Sequence, residues 1–303
     1  MTGGGGYLVV GGDSLVGGEL VRVLGERGRR AYGSTRRRET VAGQRVFLDF
    51  ESDAPFRAPQ GVDYAFLVGA ATNYERCESD PAAWRINVES IPRLAAALLE
   101  QGVFVTFIST NSVFGGERPW PQEDDAHSPG IAYARHKAEG EKAIRAAAER
   151  LKAADRLNIV RLTKIMGPET SPLPNWFAAW KRGEAVQPFT DLVFAPMSVR
   201  FAAESLAVIG EKRIPGNLHL SGTENVTYLD FANCLADKSG IDRRLIAATT
   251  ATEKGVNILF KPRYSGIGMR RTTELTGLAP QSLAYVVDDL VAMRGEQPQR
   301  RRE

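Results

Sequence analysis

Apolar residues gather in short unbroken runs at 7–10, 46–50, 64–68, 103–109 and 158–162, with a briefer strand-like piece at 31–34. Between these runs the apolar spacing changes to three and four. The stretch 14–28 carries Leu15, Leu20, Val23 and Leu24, and similar patterns fill 81–101 and 131–154. Runs that are apolar throughout, without alternation, are the mark of strands covered on both faces. Such strands alternating with helices predict βαβ units and a parallel sheet. The expected fold class is α/β, a Rossmann-type doubly wound parallel sheet with a smaller, interleaved C-terminal substrate lobe. After Gly167 the pattern breaks at Pro168, Pro172, Pro174 and Pro188, and then returns as a helix near 199–209, a strand at 217–220 and a helix at 228–239. This divides the chain into a cofactor domain over 7–166, with 189–214 returning to it, and a substrate lobe from 167–188 and 215–293. The Gln-, Pro- and Arg-rich end from 294 to 303 is expected to be disordered.

Composition narrows the class. Among 303 residues, 39 Lys and Arg against 36 Asp and Glu leave a net charge of +3, and 43% hydrophobic content supplies a core. Near-balance, and a basic cluster at Arg36–Arg38 with no aromatic residues interleaved, argue against nucleic-acid binding. No run reaches the roughly 18 apolar residues of a spanning helix. There is no secretory leader pattern, and two cysteines make no disulfide framework, so a cytoplasmic location is expected. His127, His136 and His219 stand apart without metal-site spacing, and no metal is expected.

The candidate chemistry begins at the first strand–helix turn, Gly11-Gly12-Asp13-Ser14-Leu15-Val16-Gly17. A glycine-rich turn in this setting cradles a dinucleotide pyrophosphate at a helix N-terminus. Gly11 permits the tight turn, Gly17 lets helix and strand approach, and Ser14 stands where a middle glycine is usual. The second strand runs into Ser34, Arg36 and Arg37 in place of the acidic residue that selects NAD. Guanidinium groups suit a 2′-phosphate, so NADP(H) is the expected cofactor. Asp49 and Phe50, taken as the end of the third strand, are expected near the adenine.

Tyr133-Ala-Arg-His-Lys137 is the chain's one Tyr-x-x-x-Lys. On a helix these two side chains share a face, and a cation beside a phenol lowers its pKa, which prepares a general acid for a carbonyl oxygen. Thr110, at the end of the strand 103–109, is placed to donate to the same oxygen.

Taken together, the glycine turn, Ser109-Thr110-Asn111-Ser112-Val113-Phe114-Gly115 and Tyr133…Lys137 with Gly140-Glu141 resemble the extended short-chain dehydrogenase/reductase superfamily. The stretch Val113 to Tyr133, Gly69-Ala70-Ala71-Thr72 and Asn87 are similar to its dTDP-4-dehydrorhamnose reductase-like, sugar-nucleotide-binding branch. The resemblance implies a catalytic set of Thr110, Tyr133 and Lys137, with Asn87 supporting a proton relay to Lys137. It implies cofactor contacts along Gly69, Ala70 and Ala71. It also implies a nucleotide-sugar substrate met by Thr72, Asn73, Thr110, Asn111, Lys164, Asn175 and Trp176, and a homodimer in which helices 81–101 and 131–154 pair across a two-fold axis.

Departures refine the expectation. Related dehydratases carry Thr-Asp-Glu where this chain has Thr110-Asn111-Ser112, so no acid stands ready to protonate a leaving hydroxyl. In rhamnose-pathway reductases an aromatic residue often follows the sixth strand; here Lys164 does, either approaching a substrate phosphate or simply solvated. Trp176 and Trp180, at i and i+4, serve either as base-stacking or as packing residues. The function expected is an NADPH-dependent reduction of a nucleotide-linked 4-keto sugar. The alternatives are an NAD(P)-dependent sugar-nucleotide epimerase or a non-catalytic NADP-binding regulatory subunit.

Overall fold

The computed structural model describes residues 5–52 and 54–296. Its elements in chain order are β1 (Gly6–Val10), α1 (Leu15–Glu26), β2 (Ala31–Thr35), β3 (Arg45–Phe47), β4 (Val62–Leu67), α2 (Tyr74–Ser79), α3 (Pro81–Trp84), α4 (Ile91–Glu100), β5 (Phe104–Thr110), α5 (Ala132–Arg150) and β6 (Leu157–Leu162). They continue with β7 (Lys164–Met166), α6 (Leu173–Lys181), β8 (Val193–Phe194), β9 (Pro196–Ser198), α7 (Val199–Lys212), β10 (Gly216–Leu220), β11 (Val226–Thr227), α8 (Tyr228–Ser239), α9 (Arg270–Thr276) and α10 (Leu283–Glu296). Seven parallel strands form the central sheet in the order β10-β6-β5-β4-β1-β2-β3. The strand order reverses between β1 and β4, and in such sheets ligands bind in the crevice beyond the strands' carboxyl ends at that point.

Each buried strand serves two cores at once. On β1, Leu8 and Val10 face a core shared with Ile91, Leu94 and Leu98 of α4 and Ile144 of α5, while Tyr7 and Val9 face Leu20 and Leu24 of α1 and Leu206 and Ile209 of α7. This period-two division explains why the strand sequences are apolar throughout. A third core joins Trp176, Phe177 and Trp180 of α6 to Phe231 and Leu235 of α8 and Val286 and Leu290 of α10. That core defines the smaller lobe.

Several expectations need correction. The boundary at 215 assigns β10 to the substrate lobe, yet β10 pairs with β6 as the edge of the main sheet. The helix expected over 81–101 is interrupted by a π-helical turn at Arg85–Ser90. The third strand ends at Phe47, so Asp49 and Phe50 lie beyond it. Residues Arg294–Glu296 of the expected disordered tail continue α10, where the Arg294 guanidinium sits 3.7 Å from the Phe177 ring centroid. The rest of that tail, 297–303, lies outside the described residues. Among the described residues no helix is long and apolar enough to cross a membrane, and both cysteines are free.

The sheet also encloses charge. Arg161 of β6 is only 1% exposed. Its Nε donates to Oε1 of Glu141 at 3.0 Å and its Nη2 to Oε2 at 2.8 Å, while Nη1 donates to the Glu123 carbonyl at 2.9 Å. Arg145 Nη2 donates to the same carboxylate at 2.8 Å, and Ser109, one residue before Thr110, donates to it at 2.6 Å. His127 and His219, far apart in sequence, meet Arg161 through their Nε2 atoms at 2.9 and 3.2 Å. They converge on a guanidinium, and burial, the largest cause, holds both imidazoles below their usual pKa, His219 at about 3. Burial alone would raise the Glu141 carboxyl, but the hydrogen bonds and charge of Arg161, with help from His127 and Ser109, hold it at about 2.

Replacing Glu141 by Gln leaves a buried guanidinium uncompensated, and should cost about 3–5 kcal/mol of unfolding free energy, measured by urea denaturation at pH 7. Because the folded carboxyl titrates below its ordinary value of 4.5, its contribution is complete above that pH and is lost as pH falls toward about 2. The gap between wild type and Glu141→Gln should therefore narrow over that window. An equal gap at pH 3 and pH 7 would contradict the assignment.

Candidate active site

The turn after β1 is held by close backbone contacts. Gly11 has φ +90°, and a Cβ there would stand 2.6 Å from the Gly69 nitrogen; a Cβ on Gly17 would stand 2.1 Å from the Gly11 oxygen. Both positions therefore require glycine. Ser14 is the N-cap of α1: its Oγ accepts from the Gly17 nitrogen at 3.1 Å and donates to the Gly11 oxygen at 2.7 Å. A serine in place of the middle glycine thus closes the turn. Ser34 Oγ accepts from the Gly11 nitrogen at 2.8 Å, so its hydroxyl braces the turn. Asp13 accepts from Thr35 at 2.7 Å and is paired with Arg45 and, at 3.2 Å, with Arg37. Arg36 is exposed beside them. The free amides of α1 open toward the crevice, a setting that fits a dinucleotide pyrophosphate, and Arg36, Arg37 and Arg45 fit a 2′-phosphate at the end of β2. Phe50 packs against Gly69, and Asp49 Oδ1 accepts from the Glu51 nitrogen at 3.1 Å.

On the other side of the switch point, Asn87 holds the loop after β4. Its Oδ1 accepts from the Ala71 nitrogen and its Nδ2 donates to the Ala71 oxygen, both at 2.9 Å. Both polar ends of this side chain thus hold one backbone residue, Ala71, and fasten the loop beside the glycine turn. The π-helical turn carries Asn87, and its carbonyl reaches toward Gly140, where a Cβ would stand 2.9 Å away.

Thr110 ends β5, and Tyr133 and Lys137 lie one turn apart on α5. Burial pushes the Tyr133 phenol well above its usual pKa; Tyr74 and Cys77 push the same way, and the nearby Thr110 hydroxyl pulls it back. The Tyr74 and Tyr133 ring centroids are 5.3 Å apart. Lys137 is 2% exposed. Its Nζ donates to the Ile108 carbonyl at 2.6 Å and lies 3.8 Å from the Phe107 ring centroid. Burial draws its pKa down to about 7, against the opposing charge of Glu141. The ammonium is turned to the Ile108 carbonyl, and the causes of the phenol's raised pKa are burial, Tyr74 and Cys77, with Thr110 opposing them. Thr110 also meets Ser112 Oγ at 3.1 Å and donates to Asn111 Oδ1 at 3.3 Å, while Asn111 Nδ2 donates to the Ser265 carbonyl at 2.7 Å.

These groups line one cavity of about 830 Å³ between the sheet's carboxyl edge and the smaller lobe. Ser14, Leu15, Val16, Ala70, Thr72, Asn73, Thr110, Asn111, Tyr133, Lys137 and Lys164 all reach it. Asn73 does so while capping α2, where its Oδ1 accepts from the Arg76 nitrogen at 2.7 Å. Asn175 and Trp176 do not line it. Asn175 is exposed on the outside of α6, and Trp176 is buried in the third core, 6.1 Å from the Trp180 ring. Their assignment to substrate is corrected: α6 turns its aromatic face inward, toward α8 and α10. Sequence reading missed Tyr74 and Glu75, Leu192–Phe194, Tyr228, and Asn257, Ile258, Leu259, Phe260 and Pro262 of one loop, all in the wall. The one signal for that loop is the apolar trio Ile258, Leu259 and Phe260 amid polar residues.

The sequence profile of the RmlD substrate binding domain matches residues 6–294. A probable low-salt glycan biosynthesis reductase of Haloferax volcanii is 28% identical over 94% of this chain and 96% of its own length. Methionine adenosyltransferase 2 subunit beta of Rattus norvegicus is 28% identical over 76% of this chain and 71% of its own. The fold matches a dTDP-4-dehydrorhamnose reductase from Bacillus anthracis in complex with NADP, with a TM-score of 0.78 and 17% identity over 95% of this chain and 98% of that one. The match runs through both the glycine turn and the smaller lobe, and the chain belongs to the RmlD substrate binding domain family, within the NAD(P)-dependent oxidoreductases of the extended short-chain dehydrogenase/reductase superfamily.

Proposed function

We propose that the protein reduces the keto group of a nucleotide-linked 4-keto sugar with NADPH. The observation that carries this reading is the meeting of Thr110, Tyr133 and Lys137 in one cavity that also receives the N-terminus of α1. The nicotinamide cofactor supplies the hydride when bound. Tyr133 donates the proton to the carbonyl oxygen, and a phenol held protonated by burial suits that role. Thr110 holds the same oxygen while negative charge develops on it. Lys137 keeps a positive charge beneath the site and orients the sugar hydroxyls of the cofactor. Asn87 keeps the 69–71 loop in register beside the turn. Arg37, with Arg36 and Arg45, meets the 2′-phosphate, and the nucleotide-sugar lies toward the smaller lobe. The similarity to a methionine adenosyltransferase subunit favours a second reading, a cofactor-binding subunit that serves a partner enzyme. Net NADPH oxidation by a keto sugar separates the two.

Three outcomes test the proposal. A panel of nucleotide-linked 4-keto sugars should include one that oxidises NADPH, and Tyr133→Phe should lower kcat by about 10²–10⁴-fold while binding NADPH normally by fluorescence titration. NADPH bound but oxidised by none of them would favour the subunit reading. Lys137 is protonated below about 7 in the free protein and loses its charge as pH rises through that value, so kcat/KM should fall along the same limb. A flat profile between pH 6 and 9 would remove the ammonium from the mechanism. Arg37→Ala should weaken NADPH about tenfold and leave NADH unaffected; equal losses for both cofactors would count against a 2′-phosphate contact.

A further inference from the structure

Tyr133 is the second residue of α5. The first amides of a helix have no partner within it, and the end turn is where a helix frays. Here the N-cap is Ile131, whose side chain carries no acceptor and makes no cap bond. Lys137, one turn on, is tied to the Ile108 carbonyl. The proposed proton donor thus stands on a turn that its own helix does not close.

The missing acceptor comes from α2. Glu78 Oε1 accepts from the Ala132 nitrogen, the amide just before Tyr133, at 2.7 Å. Its other oxygen, Oε2, lies 3.5 Å from Arg135 Nη2, two residues after Tyr133. A carboxylate at this end of a helix also answers the positive end of its dipole. Tyr74 precedes Glu78 by one helical turn, so the two share a face of α2. From that face the Tyr74 ring lies 5.3 Å from the Tyr133 ring, and it meets Phe260 edge-on at 6.4 Å. The short helix is itself anchored. Cys77 Sγ donates to the Ala71 carbonyl at 3.4 Å, and Asn87 donates to that carbonyl too. The loop beside the glycine turn and the turn that carries the phenol therefore share one support.

We propose that Glu78 is a positioning residue for Tyr133: it caps α5 from outside and holds the phenol's turn at the height where the proton is delivered. The inference rests on the reading of Tyr133 as the proton donor. Glu78 does not line the cavity, so its replacement removes no contact with a ligand. Its effect falls on the geometry of the transfer, which is sensitive to small displacements.

The test joins residue-resolved amide hydrogen exchange of the NADPH-bound protein to steady-state kinetics with whichever 4-keto sugar of the panel oxidises NADPH. Glu78→Ala should speed exchange at Ala132 and at Arg135, whose nitrogen donates to the Ile131 carbonyl, by about tenfold. It should lower kcat by about tenfold, with KM and NADPH affinity held within about twofold. Glu78→Gln keeps an oxygen for the Ala132 amide and should restore both readings. Wild-type exchange at Ala132 and Arg135 in Glu78→Ala would overturn the proposal, and so would faster exchange with an unchanged kcat. A Gln variant as impaired as the Ala variant would move the effect to the charge facing Arg135 and overturn the cap. If NADPH binds and none of the panel is reduced by the wild type, the reductase reading itself fails and this inference falls with it.

Discussion

A guanidinium almost without access to water sits on β6, one strand in from the sheet edge, because Glu141 meets it with both carboxylate oxygens. The pair is costly to desolvate and stands only because its remaining valences are filled by Ser109, Arg145, the Glu123 carbonyl and two imidazoles. This is a constraint of placement more than of stability. Ser109 precedes Thr110 on β5, Arg161 precedes Leu162 on β6, and Glu141 lies one turn beyond Lys137 on α5. One buried network thus ties the three elements that deliver the candidate chemistry, and fixes the height of α5 against the strand ends. A side chain out by an ångström at this height is costly to a proton transfer.

The opposite wall of the crevice is set by backbone contact. The Gly11 turn and the Gly69 loop approach so closely that a Cβ on Gly11 would stand 2.6 Å from the Gly69 nitrogen. Asn87 then fastens the next residues by a two-way hydrogen bond to Ala71. Ser14 fits the same logic, since a cap that binds both Gly11 and Gly17 makes the turn rigid where a glycine would leave it loose.

What the sequence made legible follows from range. Strand runs, the glycine turn and the Tyr133–Lys137 spacing are local patterns, and each came through in the fold at nearly its expected position. The edge strand β10 was misassigned because its partner, β6, lies more than fifty residues away and its short apolar run looks the same in any sheet. Trp176 is ambiguous by spacing alone, since only the positions of α8 and α10 decide which way α6 faces. The convergence of His127 and His219 on Arg161 has no sequence signal at all. It is produced by a loop and an edge strand folding over the same strand, and separate histidines give no hint of it.

The electrostatics of the cavity follow from the same packing. Burial pushes Tyr133 toward the neutral phenol and Lys137 toward the neutral amine, so each is held nearest its uncharged form by its surroundings. A ligand that brings hydroxyl or anionic oxygens to Lys137 adds hydrogen bonds to the charged ammonium and raises its pKa. The restored charge then acts on a phenol one helical turn away, through protein instead of water, and favours the phenolate that proton donation leaves behind. Glu141 is near enough to sustain that charge but is itself bound by Arg161, so it cannot take the proton. In the proposed reaction Lys137 therefore couples occupancy of the cavity to the acidity of the phenol.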